Sequence, residues 1–110
     1  MIQETIEKLA ASIQEHSTVS HENKAELLRL LDQLKNEVGE LEKTDAEQAR
    51  SIAGFAAVSA HEATRARPDA RLLELSLSGL SHSVAEFEES HPRLVQVVNS
   101  ISNALSSLGI

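Results

Sequence analysis

The chain has 110 residues, ten Lys and Arg against 17 Asp and Glu, and a formal charge of −7, a length that suits one domain and not two sizeable ones. With two Phe and no Trp or Tyr, it lacks both the cationic surface that grips a phosphate backbone and the aromatic platforms on which bases stack, so no nucleic acid is expected as a partner. The absence of cysteine excludes disulfides, thiolate metal sites and a cysteine nucleophile.

Ile2, Ile6, Leu9 and Ile13 recur at intervals of four and three, which places them on one stripe and predicts a short helix over 1–16. Glu4, Glu7 and Lys8 interrupt this stretch, unlike the unbroken apolar segment of a secretory signal, and a cytoplasmic protein is expected. Residues 16–20 break the pattern, and Ser20 is placed to cap the next helix through its hydroxyl.

The second run is Leu27, Leu31, Leu34, Val38 and Leu41, and the same register continues through Asp45 and Gln48 to Ile52 and Phe55. That continuity favours one long helix over 21–66, about 65–70 Å at 1.5 Å per residue. Thr44-Asp45-Ala46-Glu47 has the form of a capping box, so the alternative is a break near 44. Ala49, Ala53, Ala56, Ala60 and Ala63 keep the four-three spacing, a stripe along which a neighbouring helix can approach closely. Arg67-Pro68-Asp69 ends the segment, because proline disfavours helical geometry in the residue before it, and Asp69 can cap the next helix.

Leu73, Leu77, Leu80, Val84 and Phe87 predict a helix over 69–89, and Leu94, Val98, Ile101, Leu105 and Leu108 another over 92–108. Pro92 interrupts helical hydrogen bonding, and a break with Ser90 or His91 as cap is preferred to a kink. Gly109 stands where a left-handed residue closes a helix, with Ile110 placed for the accompanying apolar contact. Between 73 and 84 apolar and polar residues also alternate as in a strand hairpin around Gly79, but a lone hairpin is marginal in water and helix is preferred. The longest uncharged stretch, 94–110, is interrupted by Ser, Asn and Gln, whereas a bilayer span needs about 20 mainly apolar residues, so no membrane partner is expected.

His61-Glu62-Ala63-Thr64-Arg65 begins like a zinc-protease helix, but Arg65 stands where the second histidine ligand belongs, and a polar face with charges at helical spacing is the simpler reading. His16, His21, His61, His82 and His91 are scattered without ligand spacing. His91 differs in occupying an apolar-stripe position beside Glu88 and Glu89, as a cap, a core histidine or a pH-sensitive contact. Neither a nucleophile elbow nor a phosphate loop is present, and no catalysis, metal or cofactor is expected. Residues 1–45 carry five Lys and Arg against ten Asp and Glu, residues 46–72 four against three. Arg65, Arg67 and Arg71 cluster at the proposed reversal while Glu86, Glu88 and Glu89 precede Pro92; as surface patches they could set the direction of pairing between chains, or simply be solvated.

Phe87-Glu88-Glu89-Ser90-His91-Pro92-Arg93-Leu94 and the terminal Leu105-Ser106-Ser107-Leu108-Gly109-Ile110 resemble the C-terminal signature of a family of short bacterial proteins catalogued as a domain of unknown function, family 4404. The family pattern is similar to F-E-x-S-H-P-x-L followed by L-x-x-L-G-I, and the leucine-patterned N-terminal part is similar too, while 45–69 looks like an extension. The resemblance implies a small bacterial cytosolic protein and carries no catalytic residue. It marks Phe87, Glu88, His91, Pro92, Gly109 and Ile110, which are read as architectural.

The expected fold is all-α, a single domain over 1–110 in which long amphipathic helices with heptad-like stripes form an antiparallel hairpin or bundle. A 65 Å helix is too long for a compact monomer, whose radius of gyration would be about 13 Å, so self-association is expected, with Leu31, Leu34, Val38, Ile52 and Phe55 as the seam. The expected function is that of a non-enzymatic structural or protein-interaction module and a homo-oligomer. The alternative is an acidic regulatory binder in a basic groove of a protein partner.

Overall fold

The computed structural model describes residues 2–15, 20–67 and 69–109. The loop expected around residue 18, Pro68 and the Ile110 contact lie outside them. Five helices run in order: α1 (Ile2–Glu15), α2 (His21–Glu42), α3 (Ala46–Ala63), α4 (Ala70–Val84), a 3-10 turn at Ala85–Phe87, and α5 (Pro92–Gly109). They pack as a helical bundle, and no strand occurs among the described residues.

Local chemistry sets the boundaries. The Ser20 hydroxyl accepts from the Asn23 amide at 3.2 Å, as its position predicted. Asp69 likewise caps α4, one carboxylate oxygen accepting from the Arg71 and Leu72 amides at 3.0 and 3.1 Å. Pro92 is the first residue of α5, where its missing N–H costs nothing, so the chain breaks there and does not kink. Phe87 and Leu94, on either side of that break, belong to the same buried core.

The favoured long helix over 21–66 is not formed. The chain leaves α2 at Glu42, turns through 43–45 and starts α3 at Ala46. Asp45, and not Thr44, is the cap: its carboxylate accepts from the Gln48 amide at 3.1 Å, while the Thr44 hydroxyl donates back to the Leu41 carbonyl at 3.3 Å. The Gln48 side chain then donates to the Ser83 carbonyl at 2.8 Å, meeting a carbonyl in the last turns of α4. The two polar positions in the apparently continuous stripe are therefore the corner itself.

This corner removes the reason for expecting self-association through the stripe. The folded chain measures 37 × 25 × 20 Å with a radius of gyration of 12.9 Å, the size of a compact monomer. Leu31, Leu34, Val38 and Ile52 are buried in its own core, together with Ile2, Ile6 and Ile13 of α1 and Leu94, Val98, Ile101 and Leu105 of α5. α3 lies at the centre and packs on all four other helices. Its buried stripe is Ala49, Ala53, Ala56, Ala60 and Ala63 with Ile52, and side chains this small let four neighbours crowd one helix. No helix among the described residues is long and apolar enough to cross a membrane.

Candidate functional site

α3 and α4 form an antiparallel hairpin. Gln48 near the start of α3 bonds Ser83 near the end of α4, and the Phe55 ring lies against Gly79 so closely that a Cβ there would overlap it. The same register brings Val58 to the level of Leu75, with Leu72 one turn nearer the 64–69 corner.

This hairpin departs in part from the usual amphipathic rule. All four large apolar residues exposed among the described residues lie on it: Phe55 at 39% exposure, Val58 at 50%, Leu72 at 44% and Leu75 at 52%. The buried polar or charged residues among those described, Ser59, Glu62, Ser76 and Ser83, lie on the same two helices. Ser76 and Ser83 satisfy their hydroxyls by donating to Leu73 and Leu80 carbonyls at 2.9 and 2.6 Å. The Ser59 hydroxyl is buried with no partner among the described residues. Alanine and serine thus share the inner side of the hairpin with Ile52, Leu73, Leu80 and Val84, while four further large apolar side chains meet solvent.

Charge separates along the length of the hairpin. At the corner end stand Arg65, Arg67 and Arg71, all exposed; at the open end stand Glu47, Glu86, Glu88 and Glu89, all exposed too. Arg65 is committed within the chain, donating to the Glu62 carboxylate at 2.7 Å. That hydrogen bond first, and the opposite charge second, hold its guanidinium above the ordinary value. Arg67 and Arg71 make no ion pair among the described residues. The His61-Glu62-Ala63-Thr64-Arg65 segment therefore holds an exposed histidine beside a carboxylate occupied by its own arginine, and among the described residues no group of three or more potential ligands converges.

Of the self-association stripe expected from the sequence, Phe55 alone reaches this face; Leu31, Leu34, Val38 and Ile52 are core. Phe87 is buried and meets the His91 ring edge-to-face, centroids 5.7 Å apart, and the His91 Nδ1 lies 3.0 Å from the Ser90 hydroxyl. Glu88 and Pro92 are exposed, and Gly109 is the last residue of α5. Val58, Leu72 and Leu75 were missed. Their signal was present, since each is a large apolar residue outside the four-three register.

A groove of about 350 Å³ between α2 and α5 is lined by polar side chains including Arg29, Gln33, Asn36, Arg93 and Gln96. Arg29 there is held by Glu26 at 2.7 Å, which draws the Glu26 carboxyl below its usual range.

No curated protein and no solved structure matches the chain. A family model described as a domain of unknown function (DUF4404) matches residues 28–110. The matched span takes in 45–69, the segment expected to be an extension, and leaves α1 outside although the resemblance had included it. With most of α2 and all of the α3–α4 hairpin and α5 inside the match, the chain belongs to this family.

Proposed function

We propose that the chain is a non-enzymatic protein-interaction module that works in the cytosol through the outer face of the α3–α4 hairpin. The observation that carries this reading is that Phe55, Val58, Leu72 and Leu75 stand outside while Ser59, Ser76 and Ser83 stand inside beside the hairpin's buried apolar residues. Surface apolar residues scattered singly need no explanation, whereas a contiguous set on two adjacent helices marks a surface meant to be covered. The separation of the histidines and the commitment of Glu62 to Arg65 support a binding role over a chemical one.

A photo-activatable benzophenone side chain at Leu75, compared with one at Asn36 of α2, tests the reading in living cells. Adducts of defined mass, to another copy or to another protein, are expected from position 75 and not from 36. Equal yields from both positions would refute it. The acidic α1–α2 surface, with Glu4, Glu7, Glu22 and Glu26 exposed, favours the second reading, a regulatory binder in a basic groove, for which adducts would concentrate at α1–α2 positions.

A further inference from the structure

We infer that the occupant of the α3–α4 face is a second copy of the same chain, paired antiparallel about a two-fold axis at the level of Phe55 and Gly79. This rests on the interaction-module reading and names its partner. In a two-fold interface the same patch meets itself in reverse, so a patch pairs with its copy when its two ends are complementary. This face has that property. From the Phe55 and Gly79 level, Arg71 lies about 12 Å towards the corner and Glu86 about 10–12 Å towards the open end, from the rise per helical residue. An antiparallel copy thus sets Arg71 against Glu86 of its partner, twice, while Phe55, Val58 and Leu75 fall within about 6 Å of the axis level and cover one another. A parallel copy would set guanidiniums on guanidiniums. The hairpin segment 46–84, four Lys and Arg against four Asp and Glu, is also a neutral part of this acidic chain, which a second acidic chain approaches without net repulsion.

The area fits a reversible dimer. Eighteen residues of α3 and the width of two helices give a face about 27 Å by 20 Å, roughly 500 Å² per protomer. The total of roughly 1,000 Å² stands at the lower limit of specific interfaces, in the range of weak and transient ones.

Sedimentation of the intact chain from about 1 to 200 μM tests this. The expected result is a monomer–dimer equilibrium that Leu75→Glu weakens at least about tenfold, with a circular dichroism melt showing that the variant still folds. Arg71→Glu and Glu86→Arg should each weaken it several-fold, and the double variant should restore it, because the swapped pair meets across the axis. Since the chain has no cysteine, Ser78→Cys near the axis should give a homodisulfide under mild oxidation, and Asn36→Cys should not. A monomer throughout the concentration range overturns the inference. So does a dimer insensitive to Leu75→Glu, or a double charge swap without recovery. If the chain is monomeric and the benzophenone at position 75 captures a different protein, the second-copy inference fails and the interaction-module reading stands. If it captures nothing, both fail.

Discussion

Gly54 and Gly79 are interior residues of neighbouring helices, and replacing each by alanine should have opposite consequences. At Gly54 an added Cβ meets nothing within 4 Å, and the glycine has no positive φ, so alanine changes only the helix itself. Removing an interior glycine gains about 0.8–1 kcal/mol in helix propensity, much of it by restricting the unfolded chain. For a domain of this size that is a rise in Tm of roughly 4 °C. At Gly79 the same gain is available, but the new methyl occupies the space of the Phe55 ring, which must swing into solvent. Full burial of a phenylalanine is worth about 1.5–3 kcal/mol and Phe55 is already 39% exposed, so the displaced ring gives up about 1–2 kcal/mol. Gly79→Ala should therefore leave stability unchanged or lower it by up to about 1 kcal/mol, while in a Phe55→Ala background it should regain the full helix term. Urea or thermal melts of the four chains of this cycle, run below 1 μM so that association adds nothing, give a coupling of about 1–2 kcal/mol between positions 55 and 79. If Gly79→Ala stabilises the unmodified protein as much as Gly54→Ala does, the ring does not rest on Gly79 and the hairpin register is wrong.

The α2–α3 corner predicts that Asp45→Ala costs about 1 kcal/mol, as for loss of an N-cap, and Thr44→Ala clearly less, because the Thr44 hydroxyl donates backwards to Leu41; equal losses in denaturant melts would restore the capping-box reading. Phe87→Ala should lower stability by about 3 kcal/mol, the lower part of the range for a buried phenylalanine since 8% of its surface reaches solvent, and His91→Ala by about 0.5–1.5 kcal/mol from the lost edge-to-face contact. An unchanged melting temperature for both would make this segment a recognition surface. Ser59→Ala should stabilise by about 1 kcal/mol, since it removes a buried hydroxyl without a partner from a helix whose inner side is mostly alanine; a loss of stability would show that the hydroxyl is satisfied.

Most of the fold was legible because its stripes repeat every three and four residues: Ile2, Ile6 and Ile13, Leu94, Val98, Ile101 and Leu105 are all core, as the spacing required. The corner at 43–45 was not, because a three-residue turn happened to preserve the phase. The sign of it was chemical: a seam position held by Asp45 and the next by Gln48 is polar where an uninterrupted stripe would bury an apolar side chain. The strand-like alternation of Leu73, Leu75 and Leu77 with Glu74, Ser76 and Ser78 has a related cause. α4 buries Leu73, Ser76, Leu80, Ser83 and Val84, a helical set containing two serines, and carries Leu72 and Leu75 outside, so the apolar pattern no longer marks the buried side.

That same substitution of small for large links the fold to the face. A central helix packed by four others needs a narrow inner surface, which alanine supplies at the cost of the apolar area each residue buries, about 25 cal/mol for each Å² forgone. Nothing in that requirement calls for Val58, Leu72 and Leu75 on the outside, each about half exposed. Val58, Leu72 and Leu75, each about half exposed, contribute less to the monomer than core residues do, and apolar surface of this kind invites nonspecific association. Their placement between an arginine end and a glutamate end would, on the proposed pairing, favour a partner whose charges run the opposite way. Compactness accounts for what α3 and α4 hold inside and not for what they hold outside, and that remainder is what the proposed second copy would cover.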